Sequence, residues 1–125
     1  MPDIKILVVD DEPDLNDLVV QRLDMYGYQT ISAFTGADAL RMAESENPDL
    51  ILLDMTLPDA RGEEIFMRLK QNDATRDIQI FIVSAGTSDF LTQFINSRGI
   101  TQEDVFRKPL DFKAMLARMA SIFTE

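Results

Sequence analysis

The chain has 125 residues, 46% of them hydrophobic and 27% charged, and a formal net charge of −10. This length suits one domain with its own hydrophobic core, which we expect to span residues 1–125. No apolar run approaches the roughly 20 residues that cross a bilayer and no basic, apolar leader is present, so we expect a cytoplasmic protein without membrane contact. The acidity opposes direct binding to nucleic acid, which requires a basic face.

The sequence contains neither cysteine nor histidine. Disulfides, thiolate nucleophiles and cysteine-based zinc sites are therefore excluded, and the commonest general base is missing. Carboxylates, hydroxyls, lysine and arginine remain to carry any chemistry. Carboxylate oxygens favour hard cations such as Mg²⁺.

Three nearly unbroken apolar runs predict strands that are buried on both faces, as in a parallel sheet. They cover residues 4–9, 50–53 and 78–83. Weaker strand patterns cover residues 28–33 and 105–106.

Segments with helical spacing separate these strands. The first helix should begin at Pro13 and end before Gly27. Its predicted apolar stripe consists of Leu15, Leu18, Val19 and Leu23.

The remaining helices show capping residues or a clear apolar face. Thr35 should cap the second helix, which stops before Pro48, and Asp111 should cap the last. The third helix should cover residues 62–71 and the fourth residues 88–98. The apolar positions of the fourth are Phe90, Leu91, Phe94 and Ile95. Strands that alternate with helices in this way predict a doubly wound α/β fold with right-handed crossovers.

Polar residues directly follow four of the predicted strands. Asp10 and Asp11 follow the first, Asp54 the third, Ser84 the fourth and Lys108 the fifth. The carboxyl ends of parallel strands form one rim, where such folds bind ligands. Three carboxylates there repel one another unless a divalent cation lies between them, and Lys108 and Ser84 can contact an anion. The pattern predicts phosphoryl transfer onto Asp54 with Mg²⁺.

The segments ILVVDDEPD, LLDMTLPDARG, FIVSAG and RKPLD carry these residues. In this order they resemble the receiver domain of two-component response regulators, across essentially the whole chain. The resemblance implies a flavodoxin-like, five-stranded parallel sheet in the order 2-1-3-4-5 with five helices. It also implies a signalling domain and not an enzyme, with only self-phosphorylation and self-dephosphorylation as activities.

The resemblance implies specific roles at the rim. Asp54 would be the phosphoacceptor and a ligand of Mg²⁺. Asp11 would bind Mg²⁺ directly, Asp10 through water, and Thr56 through its backbone carbonyl.

The resemblance implies further roles for residues after the fourth and fifth strands. Lys108 would pair with Asp54 or its phosphoryl group, Ser84 would be the switch residue, and Pro109 would follow a cis peptide. The phosphoryl donor would be a sensor histidine kinase or a histidine phosphotransfer protein. The output would lie in another domain or an effector protein, and a phosphorylation-dependent homodimer fits the same resemblance.

Two features depart from the family pattern. The position that usually holds a switching aromatic is Val105, and the interval between Ser84 and Lys108 is longer than in the family, with the excess in residues 100–104. Because side chains alternate along a strand, Phe106 should face away from Val105 unless a bulge intervenes.

Other classes of protein fit less well. A phosphohydrolase of the haloacid dehalogenase type would need a second aspartate where this chain has Thr56. A Rossmann-type nucleotide binder would need a glycine-rich turn after the first strand. A receiver that serves only as a protein-interaction module would bind neither Mg²⁺ nor a phosphoryl mimic.

Overall fold

The computed structural model describes residues 3–86 and 88–123. The strands are β1 (Lys5–Val9), β2 (Gln29–Ala33), β3 (Leu50–Asp54), β4 (Gln79–Ser84) and β5 (Val105–Arg107). The helices are α1 (Pro13–Met25), α2 (Gly36–Glu46), α3 (Gly62–Gln71), α4 (Asp89–Ser97) and α5 (Phe112–Phe123). None of the helices in these residues is long and apolar enough to cross a bilayer.

All five strands run parallel in the order β2-β1-β3-β4-β5. This confirms the predicted doubly wound, flavodoxin-like α/β fold. Strand β3 lies at the centre and is buried at all five positions, which is why its sequence is continuously apolar up to Asp54. The caps predicted for α2 and α5 are present, since Thr35 Oγ1 accepts from the Asp38 amide and Asp111 Oδ1 from the Ala114 amide.

Alternate residues of the strands fill two separate cores. On one face of the sheet, residues such as Leu7, Ile51 and Ile82 pack against α2, α3 and α4. On the other face, Ile6 and Leu52 pack against α1 and α5. The sheet is therefore covered on both sides, as continuous apolar strands require.

Helix α1 faces the sheet differently from the predicted stripe. Val19 and Leu23 are buried as expected, but Leu18 is 43% exposed, so its place in the stripe was predicted wrongly. The buried position one turn before Val19 is Asn16, at 1% exposure. An amide can occupy a core position here because backbone carbonyls of β1 and β2 satisfy it.

The four predicted apolar positions of α4 divide between core and surface. Leu91 and Ile95 are buried, and Phe94 packs partly buried on the same core. Phe90 is 54% exposed and lies under the Arg61 guanidinium, which is 5.4 Å from the ring centroid. Only three of the four therefore serve the core.

Strand β5 keeps a regular register with β4. Val105 pairs with Ile82 and Phe106 with Val83, without a bulge. Val105 packs on the core of α2, α3 and α4, whereas Phe106 packs against Phe81 in the opposite core, with ring centroids 5.0 Å apart. The predicted opposite facing of the two residues is confirmed. Within residues 100–104, the segment predicted to be longer than in the family, a 3₁₀ turn covers Gln102–Asp104 just before the strand.

Candidate functional site

The carboxyl ends of β1 and β3 bring three carboxylates together. Asp10 and Asp11 follow β1, Asp54 ends β3, and one carboxylate oxygen from each lies within 4.8 Å of the others. Asp10 and Asp54 are buried, whereas Asp11 is exposed. Three anionic oxygen donors so close together suit a hard divalent cation, and the cluster fits Mg²⁺ in donor type and charge.

Lys108 reaches this acidic cluster from the segment after β5. Its Nζ lies 3.0 Å from Asp54 Oδ2 and 3.2 Å from Asp10 Oδ2. The peptide bond between Lys108 and Pro109 is cis, as the resemblance implied. The Lys108 amide donates to the Ser84 carbonyl at 2.8 Å, which ties the residue to the end of β4. One cation therefore serves two carboxylates.

Burial and neighbouring charges shift the pKa values of Asp54 and Lys108. Burial raises the pKa of Asp54 and outweighs the opposing effects of the Thr56 amide and of Lys108. Partial burial lowers the pKa of Lys108, but the hydrogen bond and charge of Asp54, together with Asp10, reverse the effect, so the net shift is upward. The ammonium group is thus held in its charged form beside Asp54.

Backbone amides hold the orientation of the two buried carboxylates. Asp54 Oδ1 accepts from the Thr56 amide at 2.9 Å, and Asp10 Oδ1 accepts from the Glu12 amide at 3.0 Å. The other oxygen of each carboxylate, Oδ2, is the one that contacts Lys108. Thr56, the predicted carbonyl ligand, is thereby fixed next to Asp54.

The Ser84 side chain lies at the same rim but makes its hydrogen bonds within the loop after β4. Its hydroxyl donates to the Gly86 carbonyl, and the Gly86 amide is 3.3 Å from Ser84 Oγ. Ser84 therefore contributes a backbone contact to Lys108, and its hydroxyl is directed toward its own loop.

The structure adds Asn16, which the sequence patterns missed. Its amide nitrogen donates to the carbonyls of Val8, Asp10 and Ala33, and its oxygen accepts from Ser32 at 2.7 Å. The residue joins α1 to the carboxyl ends of β1 and β2 and so supports Asp10. A polar residue at helical spacing from Val19 and Leu23 was the signal available for it.

The second residue that the patterns missed is Asp59, in the loop between β3 and α3. Its two carboxylate oxygens accept from the amides of Gly36 and Ala37 at 2.7 and 3.0 Å. These amide donors lower the pKa of Asp59. No local signal indicates a contact between residues so far apart in the chain.

Comparison with known proteins agrees with this geometry. A model of the response regulator receiver domain matches residues 6–120. Sporulation initiation phosphotransferase F of Bacillus subtilis is 37% identical over 108 residues, which cover 86% of this chain and 83% of that protein. The DNA-binding dual master transcriptional regulator RpaA of Synechocystis is 34% identical over 119 residues, 94% of this chain and 48% of the regulator. The chain thus spans about half the length of RpaA and of other curated relatives that it matches.

Solved structures share the fold over nearly the whole chain. A CheY-like response regulator receiver domain protein from Methanospirillum hungatei superposes with a TM-score of 0.85 at 26% identity, covering 96% of this chain and 93% of that one. The N-terminal domain of a response regulator receiver protein from Methanoculleus marisnigri gives 0.76 at 32% identity, covering 97% of each chain. With the family match and the rim residues described above, these likenesses show that the chain belongs to the response regulator receiver domain family.

Proposed function

We propose that this receiver domain accepts a phosphoryl group on Asp54 from a phosphohistidine of a sensor histidine kinase or a histidine phosphotransfer protein. The main support is the surroundings of Asp54, which ends the central strand beside Lys108, Asp10 and Asp11. Nucleophile, cation and metal-binding carboxylates thus meet in one place, which is what transfer to a carboxylate requires.

The transfer exchanges one bond to phosphorus for another. A carboxylate oxygen of Asp54 attacks in line, an O–P bond forms, and the N–P bond of the phosphohistidine breaks as the imidazole leaves with the bonding pair. The ammonium of Lys108, 3.0 Å from Asp54 in the structure, offsets charge on the phosphoryl oxygens. In self-dephosphorylation, water attacks phosphorus, the O–P bond to Asp54 breaks, and inorganic phosphate leaves with the protons of the water.

The acidic cluster would hold Mg²⁺ through Asp10, Asp11 and Asp54, with the carbonyl of Thr56 as a further ligand. When bound, Mg²⁺ would withdraw negative charge from the phosphoryl oxygens. The support is that three carboxylate oxygens lie within 4.8 Å of one another, whereas Lys108 is the one cationic side chain among the described residues that pairs with them.

The Ser84 side chain would change its hydrogen bond when Asp54 is phosphorylated. Its hydroxyl would leave the Gly86 carbonyl and donate to a phosphoryl oxygen, which shifts the loop after β4. The signal would then pass to another domain or an effector protein. Direct output through nucleic acid is disfavoured because the chain carries a net charge of −10.

Acetyl phosphate, a small phosphoryl donor, tests the proposal without a cognate kinase. With Mg²⁺, intact-mass spectrometry should detect one added phosphoryl group, and EDTA should prevent its addition. Asp54→Asn should not be labelled, whereas Asp49→Asn, at the opposite end of β3, should be labelled like the parent. Equal labelling of Asp54→Asn and parent would refute the assignment of Asp54.

Beryllofluoride separates an active receiver from one that serves only as an interaction module. The parent should bind Mg²⁺ and beryllofluoride together, as followed by chemical-shift changes near Asp54. A protein that binds neither would be an interaction module.

A further inference from the structure

The loop between β3 and α3 is a closed structure with Asp59 near its tip. Thr56 and Arg61 pair as an isolated antiparallel bridge, and the Gly62 amide donates to the Met55 carbonyl at 3.2 Å. A Cβ on Gly62 would lie 2.5 Å from Met55 Cα, so only glycine allows this closure. The segment 56–61 is therefore closed at its base by contacts between its two ends.

Asp59 fastens this loop to the N-terminus of α2. Its Oδ1 and Oδ2 accept from the first two amides of the helix, at Gly36 and Ala37. Thr35 caps only the third, at Asp38. A Cβ on Gly36 would lie 3.2 Å from Asp59 Oδ1 and 2.8 Å from Ile65 Cδ1, so the glycine lets the carboxylate approach closely. Two of the amides that a helix leaves unpaired are thus satisfied from another loop.

The other end of the loop contacts the phosphoacceptor. Thr56 donates its amide to Asp54 Oδ1 at 2.9 Å, and Thr56 is also the proposed carbonyl ligand of Mg²⁺. Contacts thus run without interruption from α2 through Asp59 and the bridged loop to Thr56 and Asp54.

We propose that Asp59 is a positioning residue for the metal and phosphoryl site: by fixing the loop to α2, it holds Thr56 against Asp54. This inference rests on the proposed function for the chemistry at Asp54. The alternative, a purely structural cap, would stabilise α2 without affecting Thr56. Thr35 offers the matched control, because its hydroxyl caps the same helix but does not belong to the loop.

The experiment compares Asp59→Ala, Asp59→Asn and Thr35→Ala with the parent. Without Mg²⁺, amide hydrogen exchange across residues 56–61 should speed up in Asp59→Ala and stay at the parent's rate in Thr35→Ala. In calorimetry, Asp59→Ala should bind Mg²⁺ about three- to tenfold more weakly, somewhat less than the 10- to 100-fold typical when a direct partner of a metal ligand is lost. Asp59→Asn, which keeps one acceptor oxygen, should fall between Asp59→Ala and the parent.

Equal exchange rates and Mg²⁺ affinities in Asp59→Ala and Thr35→Ala would overturn the positioning role, even if both variants melt at lower temperature. If Asp59→Ala does not fold, Asp59→Asn decides by the same two measurements. A parent that takes no phosphoryl group from acetyl phosphate would instead refute the proposed function. The exchange result without Mg²⁺ would then still report whether Asp59 anchors the loop.

Discussion

The two ends of the sheet place lysine and carboxylates together in different surroundings. At the amino end, Lys5 pairs with Glu46 at 3.4 Å, and the two side chains are 32% and 44% exposed. At the carboxyl end, Lys108 lies within 3.2 Å of both Asp10 and Asp54, whose side chains are only 9% and 4% exposed. Solvent screens the first pair, which therefore contributes little, whereas the second group interacts strongly.

The charge balance differs as well. Lys5 faces one carboxylate in its ion pair, but Lys108 shares a site with the three carboxylates of the acidic cluster. A shielded site with excess negative charge is unfavourable unless a cation completes it. Exposure and the number of carboxylates per lysine, more than the residue types, therefore distinguish the surface ion pair from the acidic cluster.

Replacing the lysine at each end of the sheet should give the largest difference in the rate of phosphorylation. Lys108→Met should slow phosphoryl incorporation from acetyl phosphate by about 100-fold, the usual cost of losing one stabilising donor. Lys5→Met should stay within about twofold of the parent, because an exposed pair contributes under about 1 kcal/mol. Time courses by mass spectrometry, with circular dichroism to verify folding, measure both. Equal rates in the two variants would show that Lys108 matters no more for phosphoryl transfer than the exposed Lys5.

Metal binding should depend on the cluster and not on general acidity. Asp11→Asn should weaken Mg²⁺ binding by at least about tenfold in calorimetry, because a ligand charge is lost. Asp14→Asn removes another exposed carboxylate, from the first turn of α1, and should leave the affinity unchanged. Similar losses in both variants would mean that Mg²⁺ responds only to the overall negative charge.

The raised pKa of Asp54 predicts how stability varies with pH. The folded state holds the Asp54 proton more tightly than the unfolded state, whose pKa is near the ordinary 3.8. Stability is therefore lost as the pH rises from that value through the folded pKa. Without divalent ions at pH 7, Asp54→Asn should melt roughly 3–6 °C higher than the parent, equivalent to about 1 kcal/mol.

Melting curves at several pH values test this sign. The gain should shrink as the pH falls toward the unfolded pKa of 3.8 and vanish well below it, where the parent carboxyl is protonated in both states. Asp49→Asn should show no gain at pH 7. A lower melting temperature for Asp54→Asn at pH 7 would show that the ion pair with Lys108 outweighs burial.

The smallest effect is expected at Gly86, beside Ser84 at the carboxyl end. A side chain fits there, since a Cβ would meet no atom within 4 Å. Gly86→Glu should shorten the lifetime of the phosphoryl group at least about threefold, because the new carboxylate can orient water. This effect is well below the roughly 10²- to 10⁴-fold rate increase that a positioned general base provides. Gly86→Ala adds no polar group and should leave the lifetime at the parent's value. An unchanged lifetime in Gly86→Glu would show that a side chain at this position does not act on the attacking water.

Much of the fold could be predicted because its signals are local. The buried parallel strands are continuous apolar runs, and each of their ends was predicted to within one residue. The helix α3 has the predicted bounds, Gly62–Gln71. The error at Leu18 arose because apolar spacing cannot reveal that strand carbonyls accept hydrogen bonds from Asn16 and so allow it in the core.

Some residues of the site could likewise be predicted from the sequence, and others could not. The grouping of Asp10, Asp11 and Asp54 with Lys108 follows from parallel topology, which brings strand ends to one rim. The Asp59 contact does not follow, because it depends on how a loop folds back over a helix from a different crossover. Long-range contacts of loops leave no periodic pattern in a sequence.

The 3₁₀ turn before β5 allows the length of the preceding segment to vary without changing which way the side chains of the strand face. In a pleated strand, phase decides which core each side chain enters, so an added residue would normally exchange Val105 and Phe106 between the two cores. Here the chain coils into the turn Gln102–Asp104, whose Asp104 is held by Gln79 and Arg118, and it enters β5 at a fixed point. The turn acts as a length adaptor, because residues added or removed within it would leave Asp104, and with it the faces of the edge strand, in place.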